Sequence, residues 1–377
     1  MKRTSPERRQ AAHSPAEAQG GIYPSWLRVT AEMKTRKPLL ALTLGDPAGV
    51  GPEIVAAACA SPKVHEWCRP VVLGQPEIVR RAIALVKSGA ELKVIEGVET
   101  AEPSPATLCC VAAGSGDALQ APVGRIDARS GQAAYDYVVA AARLAIEGQV
   151  DALVTAPLNK QAFYEAGHHY PGHTELLAEM CGVDDFAMML YLGPEPPIRG
   201  RAGLAVVHVT LHTAMREVFA ELTQEAVLAK CRLADSFMRR MKEEQPRIGV
   251  CALNPHGGEG GLFGREELRV IRPAVDQGLI EGLKLEGPLP ADTLMVHARD
   301  GRFDAVVAMY HDQGHIALKL LGMHRAVNVT LGLPIVRTSV AHGTAFDLAW
   351  QGRAEVGSMI EAIRVAVRLA TSRKSNP

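Results

Sequence analysis

The sequence predicts an α/β fold with a mainly parallel sheet. Short apolar runs that read as buried strands, such as Val71-Val72-Leu73 and Ala305-Val306-Val307-Ala308, recur along the chain. They alternate with segments of helical spacing, of which Gly131 to Glu147 is the clearest. Hydrophobic residues make up 47% of the chain and aromatics only 5%, so the core is expected to be large and aliphatic. At 377 residues there is room for two domains.

Taken in order, Met1 to Gln19 is polar and lacks an apolar core segment, so residues 1–33 are expected to form a disordered tail rather than a secretory signal. Met33, just ahead of the first strand, is an alternative start. Pro38 to Leu44 is that strand. It runs into Gly45-Asp46-Pro47-Ala48-Gly49-Val50-Gly51-Pro52-Glu53 and a helix over Ile54 to Ala60. Pro52 suits a first helical turn, and Glu53 suits the positive end of the helix dipole. The glycine-rich turn either cradles an anion or is simply a tight strand-to-helix turn. It is not a Walker A loop, since no Gly-Lys follows, and Gly-x-Gly-x-x-Gly occurs nowhere in the chain.

Strands follow at Val71 to Gly74, Leu92 to Ile95 and Leu108 to Ala112, with a helix over Glu77 to Lys87 and a surface loop over Glu96 to Thr107. Ser130 is expected to cap the helix Gly131 to Glu147. Ala152 to Thr155 is a strand leading to Lys160. His173 and Thr174 stand at or just before the start of a helix through Met180, where they can meet an anion. Phe186 to Leu192 and Leu204 to His212 are strands. Glu225 to Lys242 is a long helix. Ile248 to Leu253 is a strand that opens into Asn254-Pro255-His256-Gly257-Gly258. Glu266 to Asp276 is a helix, and Phe303 to Met309 is a strand ending in Tyr310-His311-Asp312-Gln313-Gly314.

Lys plus Arg and Asp plus Glu both number 41, which argues against nucleic acid as a partner. No apolar run reaches transmembrane length, so no membrane partner is expected. The seven cysteines form no Cys-x-x-Cys pair and fit a reducing compartment, the cytoplasm. Cys109-Cys110 reads as part of an apolar strand rather than a redox pair.

Three strands end near a histidine: His212, His256 and His311. Parallel strands deliver such residues to one sheet edge, where ligand groups collect. Three imidazoles suit a divalent metal and leave a position open for substrate; singly, each is an ordinary strand-end residue. His208 shares a strand face with His212 and is a core or supporting residue. Lys160, Lys319 and Arg337, with the helix start at His173-Thr174, could hold a phosphate and a carboxylate. Asp292 and Asp312 are candidates either for proton removal or for orienting a metal ligand.

Six segments are together specific. Thr43 to Glu53, Pro171-Gly172-His173-Thr174-Glu175, Leu253 to Gly261, Gly287-Pro288-Leu289-Pro290-Ala291-Asp292-Thr293, Met309 to Gly314 and Asn328 to Pro334 resemble the 4-hydroxythreonine-4-phosphate dehydrogenase family of pyridoxal phosphate biosynthesis, from about Pro38 to Leu369. The resemblance implies a two-domain α/β fold similar to isocitrate and isopropylmalate dehydrogenases, with the site in a cleft between domains. Its domains would be residues 34–170 with 338–377, and residues 171–337 carrying the metal ligands. It implies a homodimer with the site at the interface, and one divalent metal (zinc, magnesium or cobalt) on His212, His256 and His311. Substrate contacts would come from Lys160, His173, Thr174, Lys319, Asn328 and Arg337.

NAD or NADP would lie against His342, Gly343, Thr344 and Asp347. Asp292, Lys319 and Asp312 would serve proton transfer. The implied reaction is oxidation of the secondary alcohol of 4-phosphohydroxy-L-threonine, with decarboxylation. Thr155-Ala156-Pro157-Leu158-Asn159-Lys160, Gly314-His315-Ile316 and Phe346-Asp347-Leu348 look closer to a branch acting on 4-phospho-D-threonate or 4-phospho-D-erythronate. A further relative oxidises a cyclic cis-diol dicarboxylate. The rival classes are a non-catalytic phosphate- or metal-binding protein and a metal hydrolase. The first leaves Lys319, Arg337 and the His342 loop without a use, and nothing resembles the local ligand spacing of the second.

Overall fold

The computed structural model describes residues 36–242 and 244–373. The N-terminal tail and the alternative start at Met33 lie outside the described residues. From Pro38 onward the chain is one compact unit. Its twelve strands are β1 (Leu39–Thr43), β2 (Arg69–Gly74), β3 (Glu91–Ile95), β4 (Thr107–Ala112), β5 (Ala152–Thr155), β6 (Ala187–Leu192), β7 (Leu204–His208), β8 (Arg247–Cys251), β9 (Lys284–Leu289), β10 (Ala305–Ala308), β11 (Val327–Leu331) and β12 (Arg337–Val340).

All twelve form one sheet in the order β3-β4-β2-β1-β5-β12-β11-β6-β7-β10-β8-β9. The flanks are parallel, as alternation of strand and helix requires. The centre is not. β11 runs antiparallel to both β12 and β6, and β6 runs antiparallel to β7. The two flanks therefore point in opposite directions, and the sheet reverses at its middle. A short turn through Gly332 makes the β11–β12 connection. Gly332 has φ +88°, and a Cβ there would lie 2.3 Å from the Asp185 carbonyl oxygen.

Register then brings distant residues onto one face. Directly paired residues point the same way. One rung reads Arg337–Thr330–Met188–His208–Ala308 and the next reads Ser339–Asn328–Leu190–Val206–Val306, with only the 188–208 pairing inferred from the adjoining register. Apolar side chains dominate both faces of the sheet, with Leu40, Leu42, Val154 and Val206 fully buried. Burying each such aliphatic side chain contributes about 1.5–3 kcal/mol.

Several local expectations change. Asp127, not Ser130, caps the helix Ala128–Ile146: its carboxylate accepts from Arg129 N, while the Ser130 hydroxyl donates to the Asp127 carbonyl. The strand expected to reach His212 stops at His208, because Thr210 turns off the ladder and bonds Met309 O through both its amide and its hydroxyl. The glycine-rich turn before the helix Gly51–Cys59 is buried rather than open. A Cβ at Gly45 would lie 2.2 Å from Pro157 O, and one at Gly49 would lie 2.8 Å from Thr344 O. The turn serves close packing and leaves no room for an anion. Cys109 and Cys110 are both buried within β4, as the strand reading expects.

Residues 311–322, which sequence patterning left unassigned, form the helix His311–Gly322. It lies across the sheet face at Gly314, where a Cβ would come within 2.5 Å of His208 Nε2 and 2.6 Å of Val206 Cγ1. No helix among the described residues is long and apolar enough to cross a membrane.

Candidate active site

A cavity of about 350 Å³ opens where strand direction reverses. Its floor is the pair of rungs: Arg337 and Ser339 from β12, Asn328 from β11, Met188 and Leu190 from β6. One wall is the helix His173–Cys181, which presents Gly172, His173, Thr174 and Glu175 from its N-terminus, together with Lys160. The opposite wall is the helix His311–Gly322, with His311, His315 and Lys319 recurring every four residues on one face. His212 and the residues 339–343 close the ends. A ligand site at a point of topological reversal follows from the open crevice such a point leaves.

The electrostatics of the floor are unusual. Arg337 is 2% exposed, yet among the described residues it forms no ion pair, Glu175 acting on it only at longer range. Its Nη1 donates to Thr330 Oγ1 at 3.0 Å and its Nη2 to Thr155 Oγ1 at 2.7 Å, and Nε has no partner. Burial lowers its pKa to about 10. An uncompensated buried guanidinium costs several kcal/mol, roughly, unless an anion completes it. Two further buried atoms on the same cavity lack partners: His173 Nε2 and Asn328 Oδ1. Burial, then the charges of Arg337 and Lys160, hold the His173 imidazole well below its ordinary pKa, so it is neutral at pH 7. Thr174 Oγ1 lies 3.4 Å from Thr330 Oγ1, which ties the helix start to the arginine's support.

The histidines divide. The rings of His212 and His311 stand 6.1 Å apart. Asp312 Oδ1 lies 2.7 Å from His311 Nδ1 and orients that ring, and Glu175 Oε1 lies 3.9 Å from His212 Nδ1. Burial, then Lys160, lowers the His212 pKa. His256 is not with them. It sits in a run of left-handed residues after β8, at φ +55°, with its side chain 74% exposed and Glu259 3.5 Å away. Among the described residues no three His, Cys, Asp or Glu are arranged to hold a metal ion. His212 and His311 thus stand as a pair of imidazoles without a third such group beside them among the described residues.

Of the other expected residues, Lys160, His173, Thr174, Lys319, Asn328, Arg337, His342 and Gly343 all line the cavity. Asp292 does not. It is exposed in the first turn of the helix Ala291–Arg299 and accepts from Thr293 N. Thr344 is buried and Asp347 exposed, both outside the cavity lining. The loop that carries them is pinned to the first turn of the sheet: Val50 N donates to Thr344 O, and the amides of Trp350 and Gly352 donate to the Glu53 carboxylate. This fixes His342 and Gly343 at the cavity mouth, where space beside Gly343 is open. Patterning missed Glu175, Thr155, Thr330, Ser339 and the floor residues Met188 and Leu190. Glu175 comes in on the first turn of the helix that carries His173, whereas only register brings in the strand residues, and register has no short sequence signal across a reversed sheet.

His208 lies under the site, 1% exposed, and burial lowers its pKa to about 4. The unfolded imidazole takes a proton below its ordinary value near 6.5, while the folded one does so only near 4. The unfolded state therefore binds more protons across that window, and stability is lost as pH falls through it. Melting temperature followed from pH 7 to pH 4 should fall less steeply in His208→Leu than in the wild type. Parallel slopes would show that His208 does not carry this sensitivity.

Comparison with known proteins agrees with this architecture. Residues 66–366 match the family described as Pyridoxal phosphate biosynthetic protein PdxA. The chain is 43% identical over 333 residues to the D-threonate 4-phosphate dehydrogenase of Pectobacterium atrosepticum, covering 88% of this chain and 99% of that one. It is 44% identical over 347 residues to the 4-hydroxythreonine-4-phosphate dehydrogenase of Trichlorobacter lovleyi, covering 90% and 100%. The crystal structure of a 4-hydroxythreonine-4-phosphate dehydrogenase from Klebsiella pneumoniae aligns with a TM-score of 0.78 at 43% identity, covering 89% of this chain and 100% of that one. With the family match spanning most of the sequence and end-to-end relatives on both sides, the chain belongs to the PdxA family.

Proposed function

We propose that the chain is an NAD- or NADP-dependent dehydrogenase. Its substrate is a phosphorylated four-carbon hydroxy acid, either 4-phosphohydroxy-L-threonine or D-threonate 4-phosphate. The single observation that carries this is Arg337: a buried guanidinium held only by two threonine hydroxyls, facing a cavity with further unpartnered groups. It is built for an anion. The relatives' names supply phosphorylated substrates of suitable size.

In this reading Arg337, with the N-terminus of the helix His173–Cys181 and Lys160, holds the phosphate. Remote anchoring of this kind places the carbinol between the walls. In its neutral form Lys319 Nζ is the cavity group suited to take the carbinol proton, since Asp292 lies outside. The Asn328 amide oxygen accepts from a substrate hydroxyl. The nicotinamide, at the His342-Gly343 edge, supplies the hydride acceptor. The 3-keto acid that results can lose carbon dioxide.

A divalent metal fits only in part, because one chain brings His212 and His311 together without His256. A homodimer answers this. Apolar side chains stand exposed beside the paired histidines, with Met215 and Phe219 on one helix and Ile316 and Leu320 (83% exposed) on another. Leu262 and Phe263 are likewise exposed on the segment that follows His256. Such patches mark interfaces. In the dimer we propose, the His256 segment of each copy completes the other's site, and the two domains, residues 34–170 with 338–377 and residues 171–337, flank the cleft. Mixing inactive His256→Ala and His311→Ala chains should then restore about a quarter of full activity, since half of random dimers are mixed and each has one intact site. No recovery after verified subunit exchange would exclude a shared site.

A further inference from the structure

A second pair of histidines stands at the cavity wall, His315 lining it and His208 beneath, and the proposed chemistry gives the pair no task. His208 and His315 are both buried, and His208 Nε2 lies 3.0 Å from His315 Nδ1. On its other side His208 Nδ1 lies 3.4 Å from the Met188 carbonyl oxygen. A carbonyl oxygen only accepts, so His208 Nδ1 carries the hydrogen. His208 Nε2 is then the lone-pair nitrogen, and His315 Nδ1 must donate to it. The opposite direction would set a lone pair against the Met188 oxygen in a buried place. His315 Nε2 is thereby left as a lone pair. It has no protein partner among the described residues, and His315 lines the cavity. The His311 ring stacks on His315, with centroids 3.8 Å apart at 14°, and covers one ring face. A ligand therefore meets His315 in the ring plane, at Nε2.

We propose that His315 is a specificity-determining residue. Its tautomer is fixed by His208, so that Nε2 accepts a hydrogen bond from a neutral substrate hydroxyl. The inference rests on the oxidation proposed above and deepens it. His311, His315 and Lys319 are spaced by about 6 Å along one helix face. A four-carbon acid lying along that face meets His315 between the other two. The candidate substrates differ at one carbon, which bears a hydroxyl in D-threonate 4-phosphate and an ammonium in 4-phosphohydroxy-L-threonine. Both groups can donate to a lone pair, so charge decides. Among the described residues the cavity lining holds one carboxylate, Glu175, beside His212 on the opposite wall, so an ammonium at His315 meets no counter-charge there and brings three N–H donors to one acceptor. A hydroxyl at His315 makes the same hydrogen bond without that desolvation cost. His208 is a positioning residue, acting through His315.

Two measurements decide this. Nitrogen NMR of histidine-labelled protein without ligand should show His315 protonated at Nδ1 and bare at Nε2; a proton on Nε2 would overturn the proposal. The second is the ratio of kcat/KM for D-threonate 4-phosphate to that for 4-phosphohydroxy-L-threonine. The ratio should exceed one in wild type and fall about tenfold to a hundredfold in His315→Leu. It should fall likewise in His208→Leu. It should survive in His208→Gln, whose amide can accept from His315 and donate to Met188 O. An unchanged ratio in a folded His315→Leu, or a wild type that prefers the amino acid, would overturn the inference while leaving the oxidation intact. Turnover of neither compound by wild type would overturn both.

Discussion

Arg337→Met should lower kcat/KM for the phosphorylated substrate by about a thousandfold, the usual scale for removing one partner of a desolvated charge pair. The side chain is buried, its position is fixed by Thr155 and Thr330, and among the described residues no carboxylate forms an ion pair with it, Glu175 acting on it only at longer range. Its charge is therefore free for the ligand. NAD binding by calorimetry should change little, because the His342-Gly343 edge is held by separate bonds to Val50 and Glu53. A ligand that binds only the folded state raises its melting temperature. Inorganic phosphate should thus raise that of the wild type and not that of the variant. Equal losses of substrate and NAD binding would remove Arg337 from the anchoring role.

The second large effect is expected at His311. His311→Ala should reduce turnover about a thousandfold, a loss on the scale of removing a group that stabilises developing charge. The fold should remain, with circular dichroism and melting temperature close to wild type. The His311 side chain is about one-third exposed, its nearest polar partner is the exposed Asp312, and it starts a helix rather than filling the core. Full activity in a folded His311→Ala protein, with divalent metal supplied, would sink the metal assignment.

Much of this site was legible in the residues. His173 and Thr174 at a helix start, Lys160 after a strand, and Asn328 and Arg337 between apolar runs were all visible, and the structure gathers them in one cavity. The chain's alternation of strand and helix also gave the parallel flanks. What was not legible has one physical source. The antiparallel centre depends on two hairpin-like links, β6 to β7 and β11 to β12, whose strands are as apolar as the parallel ones. Periodicity does not distinguish the direction of a strand buried on both faces. Thr155, Thr330 and Met188, which support the arginine and the buried histidine, therefore carried no signal of their own. His256 shows the converse. Its motif is readable, but its left-handed backbone turns it away from the other two histidines of its own chain.

We propose that a phosphate-anchored secondary alcohol is oxidised in this cavity. The most direct test is formation of NADH or NADPH by the metal-supplied protein with D-threonate 4-phosphate, set against the same acid without phosphate. Turnover of the phosphorylated acid is expected, with kcat/KM lower by about a thousandfold for the bare one, because the loss falls on the contact Arg337 provides. Equal rates for the two, or no reduced cofactor from either, would contradict it.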